Sequence, residues 1–449
     1  MNKLSKLAAL AAIVILQIPA FSQELKTGYF VDNYMYGSSL NPALQPGCTN
    51  AYVGALVNNV TLGASSDIGV SSLFFPYDGE LVTGLNKNIS ADTFLGGLNV
   101  SNNVNVDLSE NIFVMGFRSG KGKAFNTISV NLKSTSALSV PKSVFEFLKV
   151  GGNEDVYDID NVSLNTKNYL EFSYGYSRRL SDMVTVGAAV KALVGVAYVG
   201  MNVDRLTLDT SGDEVVASGT GSLAGSIPAY DFETYDNGCY DFSEVIETKK
   251  YINGNFGLAM DLGVVVTPFE GLSVSAAVTD LGFIKWNTTI AGTMGGTTTF
   301  SLAENEDVQD NLQDMFMFRK TDTGSKVKDA LNAQANIGAR YQLPFSRMLS
   351  VGALCSFRLG DTYYKYTDCR AGITFTPGRV FSMAASAGYG TYGFSAGGAL
   401  NLRLAVVNLF AGIDGIFTKI NAQYVPVNPV NTVAKVGLTF YIGEKKNNK

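Results

Sequence analysis

The 449-residue chain contains no histidine. That absence removes the Ser-His-Asp triad and every His-ligated metal site. Hydrolases and acyl transferases carried on barrels generally use a histidine base, so no enzyme is expected. No motif for a carboxylate-only or Ser-Lys mechanism takes its place. Charge is scarce as well, at 16% Asp, Glu, Lys and Arg, which is low for a soluble globular protein. The net charge of −5 and the lack of a basic patch argue against a nucleic-acid partner. There are only four cysteines. Their spacings match no zinc motif, and three pairings are open to them in an exported chain. No cofactor and no metal are expected. Beyond the leader, no apolar run approaches the ~20 residues that a transmembrane helix needs.

What is present is a leader, MNKLSKLAALAAIVILQIPAFSQ, with Lys3 and Lys6 ahead of a short apolar core and Ala20-Phe21-Ser22 as a small-x-small cleavage signature. Residues 1–22 read as a secretory signal peptide. The rest is rich in Gly (47), Tyr (22) and Phe (27). An exported chain of this kind, poor in charge and without helical spans, fits an antiparallel β-barrel in the outer membrane of a Gram-negative cell. A soluble array of β-sandwiches is the alternative.

Period-two segments from residue 51 onward carry the barrel reading. In KNYLEFSYGYSRR, Leu170, Phe172, Tyr174 and Tyr176 share one face, and Glu171, Ser173, Gly175 and Ser177 the other. In MVTVGAAVKALVGVAYV the Val184 to Val194 face is apolar, and the opposite face is small with Lys191 in it. A turn centred on Ser181 would pair Phe172 with Val190, Tyr174 with Ala188 and Glu171 with Lys191. The last is then an ion pair in the lumen. Asp261 is likewise expected to face the lumen. About fourteen strands are expected, with twelve to sixteen possible. They occupy 51–66, 102–118, 124–139, 161–179, 183–208, 253–268, 271–287, 333–343, 348–358, 362–376, 379–390, 393–403, 404–416 and 431–443. Tight turns alternate with long connections at 67–101, 140–160, 209–252 and 287–332, as external loops should. EVVASGTGSLAG and AGTMGGTTTF read as surface hairpin extensions. VPKSVFEFLKVGG reads as a helix with a Val144, Phe145, Leu148 stripe, and NEDVQDNLQDMFMFRK as a second helix. Lys435, Gly437, Phe440 and Ile442 have the spacing of a C-terminal assembly signal. Cys355 and Cys369 would face each other if their turn centres on Thr362. The division is a leader, an N-terminal segment 23–50, a barrel 51–443 and a polar tail 444–449.

One stretch of the N-terminal segment is unusually specified: SSLNPALQP, Ser38 to Pro46. Asn41 is a good N-cap, Pro42 suits a first helical position, and Pro46 ends the turn. A single capped helical turn, Pro42 to Leu44, is expected. The leader ending in FSQ, the NPALQP stretch and DLGFIKW (Asp280 to Trp286) together resemble an uncharacterised family of Bacteroidetes outer-membrane barrels. More distantly the chain resembles the superfamily of the long-chain fatty acid transporter and of the barrel that serves type IX secretion. That resemblance implies a fourteen-stranded barrel with a hatch in its lumen, and places Asn41, Pro42 and Ala43 in the hatch. It implies a plugged, transporter-type channel in contact with outer-membrane lipid, carrying a hydrophobic or amphipathic small molecule. The rival reading is a secretion-accessory barrel that docks a secreted or surface protein through its loops, the acidic and aromatic run YDFETYDNGCYDFSE above all. An open diffusion porin is a third.

Overall fold

The computed structural model describes residues 24–47, 49–151, 154–212, 214–248, 253–295, 297–300, 316–360, 366–415 and 429–444. The leader, the end of the tail, Cys48 and most of the second expected helix lie outside them.

Fourteen antiparallel strands close into one barrel. They are β1 (Thr49–Gly69), β2 (Ser101–Ser119), β3 (Ala124–Pro141), β4 (Val156–Arg179), β5 (Val184–Asp209), β6 (Asn255–Phe269) and β7 (Leu272–Asn287). Then come β8 (Gln334–Gln342), β9 (Leu349–Arg358), β10 (Thr367–Phe375), β11 (Phe381–Gly390), β12 (Gly393–Leu404), β13 (Val407–Asp414) and β14 (Pro429–Glu444). Each pairs with the next, and β1 pairs with β14 to close the ring. Closure leaves no open edge, which is the condition for a sheet to sit in lipid. Turns of two to six residues join the strands at the end where the termini lie, and the longer connections all leave from the other. Outward positions carry exposed apolar side chains around the ring, among them Phe172, Val190, Leu258, Ile337, Ile373 and Val436. Such a continuous apolar belt on a closed barrel is a lipid-facing surface. Among the described residues no helix is long and apolar enough to cross a membrane.

Several expectations shift in detail. The β4–β5 hairpin pairs Phe172 with Ala192 and Tyr174 with Val190, so Glu171 stands opposite Leu193 and Ser173 opposite Lys191. The pivot lies one residue later than Ser181 because that hydroxyl accepts the N–H groups of Met183 and Val184, making a serine-closed turn. A shift of the partner by two residues preserves which side chains face lipid. In β14, Lys435 is buried in the lumen, whereas Phe440 and Ile442 lie exposed on the lipid side. Cys355 stands opposite Cys369 and is bonded to it, while Cys239 is free and buried.

Beyond the long-loop rim, Val215–Ser226 continues the sheet from β5 and carries Ile290–Met294 and Thr297–Phe300 on its other side. This extension has its own core, including Val203, Leu206, Phe232, Tyr240 and Phe318. The acidic and aromatic run thus buries Phe232 and Tyr240 as packing residues. Two helices pack nearby: α1 (Ala91–Gly96), capped by the Ser90 side chain, and α2 (Lys142–Val150). In α2, Val144 and Phe147 face the extension core, but Phe145 turns to Phe94 of α1.

Candidate functional site

Residues 24–47 run inside the barrel. They contribute Leu25, Tyr29, Phe30, Tyr34, Met35, Tyr36 and Leu40 to one cluster with the inner wall. A segment this short has no core of its own, so its backbone polar groups must find partners on the wall. They do. The Lys26 and Thr27 N–H groups donate to Asp414 at 2.7 and 3.2 Å, and the Thr27 hydroxyl also donates to that carboxylate. Arg370 holds Asp414 at 2.5 Å from behind. Asp32 accepts from Arg340 at 2.7 Å, Tyr36 donates to the Asn58 carbonyl at 2.8 Å, and Lys435 grips Glu24 at 2.6 Å. From Glu24, well inside the lumen, the chain descends to Asp32 near the short turns, climbs to Leu40 and descends again into β1.

The SSLNPALQP stretch forms the second descent. The Asn41 side-chain oxygen accepts the Ala43 N–H at 2.8 Å, and the Leu44 N–H donates to the Asn41 carbonyl at 2.9 Å. The stretch is thus a single Asn41-capped turn, closed by one side-chain bond and one backbone bond, and it extends no further into helix. Pro46 keeps Gln45 out of the helical region, so no further helical bond can form. The Asn41 amide nitrogen also donates to the carbonyls of Val264 and Ala276 on the wall, both at 3.2 Å. Two wall glycines admit the turn. A Cβ on Gly263 would overlap the Asn41 amide oxygen, and one on Gly187 would overlap the Pro42 carbonyl. Asn41→Ala removes a cap and two wall bonds. It should weaken docking of the segment by roughly 2–3 kcal/mol while the barrel stays folded. Faster trypsin cleavage after Lys26, with unchanged β-sheet circular dichroism, is the expected result.

Lys26 is almost wholly buried. Burial pulls its ammonium down to about 8, against the opposing pull of Asp368 and Asp414. A released Lys26 would titrate near 10.5. Between the two values the released segment holds more protons, so docking tightens as pH rises from about 8 towards 10. Burial raises the Tyr34 and Tyr36 hydroxyls, so the gain reverses only where the released tyrosines begin to ionise, above about 10. Ion leak through the purified barrel should therefore fall between pH 7 and 9.5, and Lys26→Met should flatten that slope.

Above the segment, five charged side chains meet at mid-lumen. Lys191 contacts Asp280 at 2.6 Å, Asp261 at 2.8 Å and Glu171 at 3.7 Å. Lys133 contacts Glu171 at 3.1 Å and Asp280 at 3.3 Å. The sequence pattern places Glu171, Lys191 and Asp261 in the lumen, and they lie together there. Glu171 and Lys191 are diagonal neighbours, and each has a nearer partner. Lys133 and Asp280 do not emerge from the sequence pattern. Strict alternation from Thr279 would turn Asp280 towards lipid. A bulge between β6 and β7 gives Asp280 a φ of 56° and brings it inward, its N–H donating to Asp261 at 2.7 Å. The signal available was Asp followed closely by Gly inside a strand, since Asp tolerates positive φ. The cavity between this charge layer and the segment measures about 130 Å³. Its upper wall is polar, and its floor includes Met35, Leu44, Tyr52 and Phe125.

A family model described as "Family of unknown function (DUF5723)" matches residues 42–414. The chain belongs to that family. The part matching DUF5723 opens at Pro42, inside the side-chain-closed turn, and ends at Asp414, the carboxylate that holds the Lys26 and Thr27 backbone. No curated protein matches the sequence. Among solved structures, this DUF5723 chain is similar to the toluene transporter TbuX of Ralstonia pickettii, at 10% identity and a TM-score of 0.45, covering 91% of this chain and 93% of that one. It is also similar to a FadL homologue of Pseudomonas aeruginosa, at 10% identity and TM-score 0.45, with 95% and 99% covered. A third is the Pseudomonas putida toluene transporter TodX, at 8% identity and TM-score 0.45, with 94% and 99% covered.

Proposed function

We propose that this protein is a plugged transport barrel of a bacterial outer membrane, held shut by residues 24–47 and carrying an amphipathic small molecule. The observation that carries this reading is the docking of the segment. Charged and polar groups on β8, β10, β13 and β14 bind it, and wall glycines are shaped to it. A purely structural filler would not need such buried, charge-assisted attachment, which is removable without unmaking the sheet. The cavity favours an amphipathic cargo. A pure hydrocarbon passing the charged layer would strip water from it without compensation, because buried ionic groups demand polar partners. Its apolar floor suits a short alkyl or ring portion. Single-channel recording with and without residues 24–47 tests the reading: a tight full-length barrel and a conducting shortened one are expected.

A further inference from the structure

We propose that the mid-lumen cavity binds the ammonium end of an amphipathic amine. This rests on the reading of the barrel as a carrier of amphipathic molecules, and it specifies the sign of the cargo's charge. The layer sets two ammonium groups, Lys133 and Lys191, against three carboxylates, Glu171, Asp261 and Asp280. With all five groups ionised, one negative charge is left over. The neighbouring pairs do not supply the missing cation, because Lys167 is paired with Asp329 at 2.5 Å, Lys435 with Glu24, and Arg358 faces Asp107 at 3.6 Å. Unbalanced charge away from bulk water is costly, so the site favours an added cation.

A second observation points the same way. Asn111 and Thr135 line the cavity and are more than nine-tenths buried, yet Asn111 Oδ1 and Thr135 Oγ1 have no hydrogen-bond partner. Asn111 is wired to the charge layer: its amide nitrogen donates to Asn131 at 2.5 Å, and Asn131 donates to Glu171 at 2.9 Å. At Asn111 the cavity lacks a donor, and the Thr135 hydroxyl is able to accept one as well. A primary ammonium brings three N–H donors and no acceptor, together with the missing charge. A carboxylate would leave Asn111 Oδ1 without a donor, and its charge would add to the excess. A bare metal ion is a poor alternative, since among the described residues no group of His, Cys, Asp or Glu is arranged to hold one. The apolar floor formed by Met35, Leu44 and Phe125 then receives the first carbons of the amine's tail.

Titration calorimetry of the full chain in a non-ionic maltoside, with octylammonium chloride and sodium octanoate as probes, tests this against protein-free micelles. Octylammonium should bind at least about tenfold more tightly than octanoate. Glu171→Gln balances the layer at two against two with little change of shape, and should weaken octylammonium by about tenfold or more. Lys133→Gln widens the excess to two and should tighten it. A merely structural ion network would move both variants in the same direction. Unmeasurable amine binding, octanoate binding as tightly as the amine, or an unaltered Glu171→Gln affinity would each overturn the proposal. Circular dichroism confirms that each variant is folded. The conductance of the chain lacking residues 24–47 is a separate readout, so failure of the plug reading leaves this result interpretable.

Discussion

Removing residues 24–47 turns a tight barrel into an ion-conducting one: planar-bilayer recordings should show a rise in current of roughly tenfold or more. A fourteen-stranded ring is wide enough to enclose water once nothing fills it. In the full chain the segment packs Phe30, Tyr34, Met35 and Tyr36 against the inner wall. The barrel should survive the deletion, because every strand keeps both neighbours. A single substitution offers the same test without deletion. Gly263→Leu places a branched side chain where the Asn41 amide and the Pro42 ring now lie. The neighbouring strand is fixed by its hydrogen bonds, so the turn must move. Gly398→Ala is the control, since a Cβ there meets only ordinary contact. If Gly263→Leu and the deletion both leave the current unchanged, residues 24–47 do not close this barrel.

Asp414→Ala should release the start of the segment almost as effectively. This one carboxylate accepts from two backbone N–H groups and the Thr27 hydroxyl, and it also neutralises Arg370. Removing a buried charge that is paired and hydrogen-bonded costs about 3–5 kcal/mol, because its partners are left without acceptors. The loss falls on docking more than on the barrel. Arg370 keeps its two bonds to Asp368 at 2.7 and 2.8 Å, whereas the Lys26 and Thr27 N–H groups lose the acceptor they share. Trypsin should cut after Lys26 in the variant and spare the parent protein. Asp414→Asn keeps one acceptor oxygen and should fall between them. Equal resistance in all three would show that the hydrophobic cluster alone holds the segment.

The barrel was legible because its signal is local. Phe172, Tyr174 and Tyr176 outward against Glu171, Ser173 and Ser177 inward is a pattern that any short window reveals, and lipid enforces it on each strand. The hairpin register was less legible. Two registers that differ by two residues give the same facing pattern, and the turn from Leu180 to Val184, closed by backbone bonds and the Ser181 hydroxyl, distinguishes them. The interior was least legible. Asp280 enters the lumen through a bulge, and Lys133 gains meaning only from carboxylates on β4 and β7. A three-residue irregularity in β1 at Leu56, where the Tyr36 hydroxyl meets the Asn58 carbonyl, had no sequence signature at all.

By itself, then, the sequence determined a closed antiparallel barrel of about fourteen strands and a stiff turn at Asn41-Pro42-Ala43. Both come from alternation and from proline and asparagine chemistry, which act over a few residues. Only the tertiary structure decided that Asn41 lies against Gly263, that Asp414 holds a backbone 387 residues away, and that two lysines face three carboxylates. Those contacts join strands from opposite ends of the chain. They exist only after the ring closes, because closure sets which inward side chains share one level of the lumen.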